Sequence, residues 1–404
     1  MNSTAPAYIY ADNAATTPLA PEALEAMSPY LNKEYGNPSG IHRLSRQNAQ
    51  AVAKLRQSMA NMLGAPSPQE IYFTSGGTES DNWIIRGRID ELRKSIPLEE
   101  PIYVITSAIE HHAILNTCKA LEAYNVRTEL LQPDNEGFID PRSLNKALEN
   151  HADDHVALVT VMYANNEIGT IEAIQSLATV AHKYDVPFHT DAVQAVGHTD
   201  INVEELGIDA LSLSAHKFNG PHGIGALYVK SRLKIAPLMT GGGQERGMRS
   251  GTENVAAIAG MEAALKKSLG IDAQKNRKRL SKLRDRLAKR ILEETEDVIM
   301  TGTGNSRKRL PGNASFCCKD VDGELLMVLL DKEGVAASTG SACNTGSTEP
   351  SHVIRAIGIN DPKWNKGSLR LSLSEDMAQE EVDELADRTI RAIKKARLLS
   401  GMSF

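Results

Sequence analysis

Val156-Ala157-Leu158-Val159-Thr160-Val161-Met162 is a near-continuous apolar run. Strict alternation would mark a strand with one wet face, whereas a run like this marks a strand buried on both faces of a parallel sheet. It ends in Asn165-Asn166-Glu167-Ile168-Gly169, and helical periodicity from about Ile174 to Tyr184 then leads to a second strand, Val186 to Asp191. Strand, helix and strand in that order predict an α/β fold. Further strands read outward from this centre at Ile71–Thr74, Ile102–Thr106, Ala210–Leu213 and Gly225–Val229. Helices are expected from Pro21 through Met27, from about Ser45 to Leu63 with Gly64 as stop, and from Asn254 to Leu265.

Around Gly270 the composition shifts to a helix rich in Lys and Arg, with Leu280, Leu283, Leu287 and Ile291 at helical spacing. It reads as the link into a second, smaller domain. That domain holds a strand at Asn313–Cys318, a helix near Gly323–Leu330, and a closing helix with Asp376 as N-cap and Gln379 three residues on. At 404 residues the chain suits two or three cores. A net charge of −6 argues against nucleic-acid binding, and no apolar run is long enough to span a bilayer. No secretory signal is evident, and the four cysteines show neither a disulfide framework nor zinc spacing. A reducing cytoplasm is the expected home.

Chemistry is expected where strands end. Ser214-Ala215-His216-Lys217 closes a buried strand on a glycine-rich turn. A lysine desolvated there makes a good amine for Schiff-base formation with an aldehyde. Ser75-Gly76-Gly77-Thr78 follows a strand directly and opens a helix, which aims backbone N–H groups at an anion. Asp191, in Asp191-Ala192-Val193-Gln194, sits at a strand's C-terminal end, a place suited to pairing with a protonated pyridine nitrogen. Glu110-His111-His112 has the wrong spacing for a helical metal pair, but one imidazole is free to stack on a flat cofactor. Cys343, set among small polar residues from Ala337 to Pro350, reads as an exposed thiol able to meet a substrate and then a partner. Cys317 and Cys318 read as small core hydrophobes.

Taken together these motifs, with Asp12-Asn13-Ala14-Ala15-Thr16-Thr17, Arg246-Gly247-Met248-Arg249-Ser250-Gly251-Thr252 and Ser341-Ala342-Cys343, resemble the cysteine desulfurases of the NifS/IscS type. The likeness runs over nearly the whole chain. It implies the type I fold of pyridoxal-phosphate enzymes in the class-V aminotransferase family. The large domain, residues 15–262, would carry a mainly parallel seven-stranded sheet between helices. A smaller α+β domain would comprise residues 1–14 and 263–404 and carry the loop of the catalytic cysteine at about 337–350.

The resemblance also implies roles. Lys217 would bind pyridoxal 5'-phosphate, Asp191 would face its pyridine nitrogen, His111 would stack on the ring, and Gln194 would approach the phenolic oxygen. Gly77, Thr78, Ser214 and His216 would hold the phosphate, with Thr252 supplied by the other subunit of a homodimer. Asn166 would lie near ring and substrate, Arg370 would clamp the substrate carboxylate, and Asn13 would assist. Cys343 would take sulfur from L-cysteine as a persulfide, release alanine, and pass the sulfur to an acceptor such as an iron–sulfur scaffold; His111 is a candidate for favouring its thiolate. Selenocysteine lysis or transamination on the same cofactor is the competing reading, and a cofactor-free iron–sulfur scaffold is the competitor from another class. The loop's Ser338-Thr339, where the family commonly has two serines, is a conservative departure.

Overall fold

The structure, a computed structural model, describes residues 8–340 and 350–400. The chain opens with β1 (Ile9–Tyr10) and helices α1 (Pro21–Asn32) and α2 (Arg43–Leu63). Pro21 occupies the first turn of α1, where a missing N–H costs nothing. Gly64 closes α2 at φ +70°, a left-handed conformation that glycine adopts without strain.

Seven strands follow: β2 (Ile71–Thr74), β3 (Ile102–Ser107), β4 (Val126–Leu131), β5 (His155–Thr160), β6 (Phe188–Asp191), β7 (Ala210–Ser214) and β8 (Gly225–Val229). They pair in the order β2-β8-β7-β6-β5-β3-β4. β8 alone runs antiparallel to its two neighbours, so the sheet is mainly parallel, as expected. Ala157, Leu158, Val159 and Thr160 of β5 are all fully buried, which is why their stretch shows no alternation. Helices α3 (Gly77–Arg93) and α4 (His112–Leu121) start just beyond β2 and β3. Two apolar cores fill the space on the sheet. One joins α2 and Val255–Ser268 to it through residues such as Met59, Phe188 and Met261; the other joins α3 and α4 through Trp83, Ile84 and Ile114.

A separate core belongs to a smaller sheet. There β9 (Val298–Met300) and β10 (Asn313–Cys318) are joined, after β11 (Val335–Ala336), by β12 (Ser368–Ser372), in the order β12-β10-β9. Helices Ala273–Glu294, Gly323–Lys332 and Gln379–Ser400 cover it, and Ile9 and Ala11 from the other end of the chain are part of the same core. Cys317 and Cys318 are both fully buried on successive positions of β10. Cys318 packs in this core, while Cys317 faces Ile168 and Val353. The closing helix starts at Gln379, not after Asp376 as the capping pattern suggested. Met377 is drawn into the core, and the Ala378 N–H donates to the Glu381 carboxylate at 2.9 Å, so one arm of a capping box forms two residues later, with no side-chain acceptor on Ala378 for the other.

The glycine-dense loop after β8 is tied down by charge. Glu245 receives both terminal nitrogens of Arg56 at 2.6 and 2.7 Å and the Phe73 N–H at 3.1 Å, with both side chains buried. Removing one partner of a buried pair leaves the other charge without compensation. Glu245→Ala is therefore expected to cost roughly 3–5 kcal/mol of stability, read as a lower urea midpoint; a midpoint equal to that of the parent chain would contradict it.

Candidate active site

The parallel strands end on one side of the large sheet, and all but β4 deliver a functional segment there. β2 delivers Gly76 and Gly77, β3 delivers Glu110 and His111, β5 leads to Asn166, β6 ends on Asp191, and β7 ends on Ser214 and runs into Lys217. These segments line a cavity of about 410 Å³, within the ~300–1,000 Å³ usual for small-molecule sites.

Lys217 reaches into this cavity from a single 3₁₀ turn, Ala215–Lys217. Its Nζ donates to the backbone carbonyls of Ala14 and Ala15, both at 2.8 Å. Gln194 Nε2 donates to the same Ala14 carbonyl at 2.9 Å. The segment Asp12–Thr17 thus holds the lysine from across the site. Thr16 Oγ1 is also shared by His222 at 2.8 Å and His216 at 3.2 Å, whose rings stack 5.1 Å apart. Burial and the Lys217 charge pull His216 down to about 4, so it is neutral at physiological pH.

On the cavity floor Asp191 accepts the Val193 N–H at 2.9 Å, and burial raises its carboxyl to about 6. Beneath it lies Asp81, 1 % exposed, with Oδ1 lacking a hydrogen-bond partner and its pKa pushed well up by burial and by the Asp191 charge. Two adjacent buried carboxyls do not both ionise readily. Asp81 keeps the proton, and Asp191 carries the charge at neutral pH. Glu110, also fully buried, bonds Ser107 Oγ and the Met162 N–H and is raised to about 8, so it is a neutral acid. His189, buried between Thr160 and Ser212, is lowered to about 3. The single ionised carboxylate facing Lys217 is set off by a neutral layer beneath it.

His111 forms one wall. Its Nδ1 caps α4 by accepting the Ala113 N–H at 3.1 Å, which puts the neutral ring's proton on Nε2. At the far side Arg370, on β12, donates to Asp12 Oδ1 at 2.8 Å and to the Asn166 carbonyl at 3.1 Å. Its Nε is buried without a partner among the described residues. The guanidinium therefore comes from the small sheet to a cavity built by the large one.

The cavity brings together Lys217, His111, Asp191, Gln194, Asn166 and Arg370, and at its helix end Gly77, Thr78, Ser214 and His216. Asn13 stands off it, with its Nδ2 bonded to the Ser372 carbonyl at 2.8 Å. Thr252 is exposed and does not line this chain's cavity. Cys343 lies outside the described residues. Sequence reasoning quoted Asp12, Asp81 and Glu110 only within motifs and gave none of them a role. An acidic residue four positions after Gly77, on the helix face turned to the sheet, was the available signal for Asp81. Among the described residues no group of three or more His, Cys, Asp and Glu is placed to hold a metal, and no helix is long and apolar enough to cross a membrane.

A family model for class-V aminotransferases matches residues 9–385, and the chain belongs to that family. Within it, the chain is 45% identical over 392 residues to the cysteine desulfurase IscS of Dictyoglomus turgidum, covering 97% of this chain and 96% of that protein. Among solved structures, a NifS-like protein superposes with a TM-score of 0.86 at 32% identity, covering 96% of this chain and all of that one. SspA in complex with cysteine superposes at 0.76 and 34% identity, covering 90% and 98%.

Burial first, and then the Lys217 and His112 charges, lower the His111 imidazole from its ordinary value to about 4. The folded protein binds no proton there between pH 6.5 and about 4, while the unfolded chain does, so this contribution to stability fades as pH falls through that window. In proton NMR of the unliganded chain, the imidazole signal that disappears in His111→Gln should stay at its neutral position from pH 8 to pH 5. A midpoint near 6.5 would contradict the environment described.

Proposed function

We propose that this cysteine desulfurase takes L-cysteine to L-alanine with pyridoxal 5'-phosphate bound at Lys217, and receives the sulfur on Cys343 as a persulfide. The observation that carries the reading is the convergence in one cavity of a held lysine amine, an ionised carboxylate and a buried arginine. Those three groups match an aldehyde, a pyridine nitrogen and an amino-acid carboxylate.

The residues fit the cofactor in size and in polarity. Gly76 stands at φ +153°, and a Cβ on Gly77 would run into Val193, so the backbone at the start of α3 is bare where a phosphate would rest. The first N–H groups of a helix have no acceptor within it and suit an anion. When bound, pyridoxal phosphate supplies an electron sink for the substrate's α-carbon.

The chain's own groups do the rest. Asp191, ionised above neutral Asp81, holds a proton on the ring nitrogen. His111 presents a neutral ring face. Lys217 would hold the aldehyde and, as the nearest amine, would move the proton at the substrate α-carbon. Arg370 takes the substrate carboxylate through the donors of its terminal nitrogens not used by Asn166 and Asp12. The Cys343 thiolate attacks the substrate sulfur: the S–S bond forms, the carbon–sulfur bond breaks with its electron pair left on carbon, and that carbon is protonated to give alanine. The sulfur then leaves to an acceptor such as an iron–sulfur scaffold. A homodimer, with Thr252 of each chain serving the other's phosphate site, and a division into residues 15–262 and the remaining smaller domain belong to the same reading. So does a cytoplasmic setting.

Lys217→Ala should lower alanine formation by ~10²–10⁴-fold or more while circular dichroism stays that of the parent. Arg370→Lys should raise KM by ~10–100-fold, the loss of a charge-assisted hydrogen bond worth about 1.5–3 kcal/mol. Cys343→Ser should yield no protein persulfide, whereas a transaminase would be indifferent to it. Near-parental turnover in Lys217→Ala would overturn the assignment.

A further inference from the structure

Glu167 lies on the Asn165–Gly169 turn that follows β5, next to the cavity-lining Asn166, and is 5 % exposed. Its backbone is fixed on both sides: the N–H donates to Asn165 Oδ1 at 2.9 Å, and the carbonyl accepts Asn313 Nδ2 at 3.1 Å. The carboxylate, however, points to two residues far along the chain. Ser351 Oγ donates to Oε2 at 2.5 Å. Gly340 packs so closely on the same carboxylate that a Cβ there would overlap it. Gly340 and Ser351 flank the segment that contains Cys343.

The hydroxyl of Ser351 has one proton to give. Its oxygen already accepts the Val353 and Ile354 N–H groups at 3.0 and 3.4 Å, as N-cap of the short helix His352–Ala356. Glu167 is the acceptor that completes it, so the cap and the carboxylate are one unit. The charge acting on Glu167 is that of Arg370 on β12, and the buried Cys317 thiol of β10 is also near; burial holds the Glu167 carboxyl up at about 7.

We infer that Glu167 is a positioning residue that joins Gly340, by close packing, to Ser351, by a hydrogen bond, and so fixes the spacing of the two described residues between which Cys343 lies in the sequence. The inference rests on the functional reading above, in which Cys343 is the sulfur acceptor. It separates two steps: L-cysteine is held by groups that Glu167 does not touch, apart from its neighbour Arg370, whereas sulfur transfer requires the flanks to be in place.

The experiment uses the full-length enzyme reconstituted with pyridoxal phosphate. L-Cysteine affinity is read by visible absorbance, alanine formation by steady-state kinetics, and the Cys343 persulfide by mass spectrometry after a single turnover. Glu167→Leu should lower kcat and the single-turnover persulfide rate by roughly 10–100-fold, with L-cysteine affinity within about threefold. Glu167→Gln, whose amide oxygen still accepts the Ser351 proton, should recover most of that rate. Ser351→Ala should act in the same direction as Glu167→Leu, and the double variant should lose no more than the worse single one. Parental kcat in Glu167→Leu, equal losses in affinity and kcat, or additive losses in the double variant would overturn the inference alone. A parent enzyme that forms no persulfide would overturn the functional reading and this inference with it.

Discussion

Two backbone carbonyls, those of Ala14 and Ala15, hold the Lys217 ammonium, and most of the site's geometry follows from that grip. The lysine is delivered by the end of β7, in the middle of the large sheet. The carbonyls arrive on a segment whose neighbours Ile9 and Ala11 are built into the small sheet's core. Asp12 in the same segment pairs with Arg370 of β12. One short stretch of chain therefore locks the amine to the large unit and the guanidinium to the small one, with a cavity left between. An ammonium gives up much of its hydration in such a place, and carbonyl oxygens replace water without supplying a formal negative charge.

The electrostatics beneath the cavity obey a simple constraint. The sheet's C-terminal edge carries three buried acids, Asp81, Glu110 and Asp191, and the Lys217 charge acts on Asp191. Burial raises Asp81 and Glu110 into their neutral forms. What is left is one negative charge, that of Asp191, among neutral buried acids.

Much of this was legible in the sequence, and the limits have physical causes. β5 declares itself because a strand buried on both faces reads as a near-continuous apolar run, and Asp191 and Lys217 stand where β6 and β7 give way to loops. β4 does not declare itself: it is an edge strand whose Arg127, Thr128 and Glu129 leave no apolar signal. β9, β11 and the start of the last helix depend on contacts in the small core that local patterns do not carry. The pairing of Asp12 with Arg370 joins residues 358 positions apart, and no spacing rule reaches that far. Asp81 was hidden for another reason, since a carboxylate on a helix reads as solvated until the sheet is laid against it.

The three cysteines among the described residues are all buried, and lack of hydration pushes Cys118, Cys317 and Cys318 each up to about 12. At cellular pH they are thiols that neither attack nor exchange. Under the proposed function the fourth cysteine of the sequence, Cys343, would then carry the sulfur, and an electrophilic tag on the native protein would meet no competing thiolate from these three.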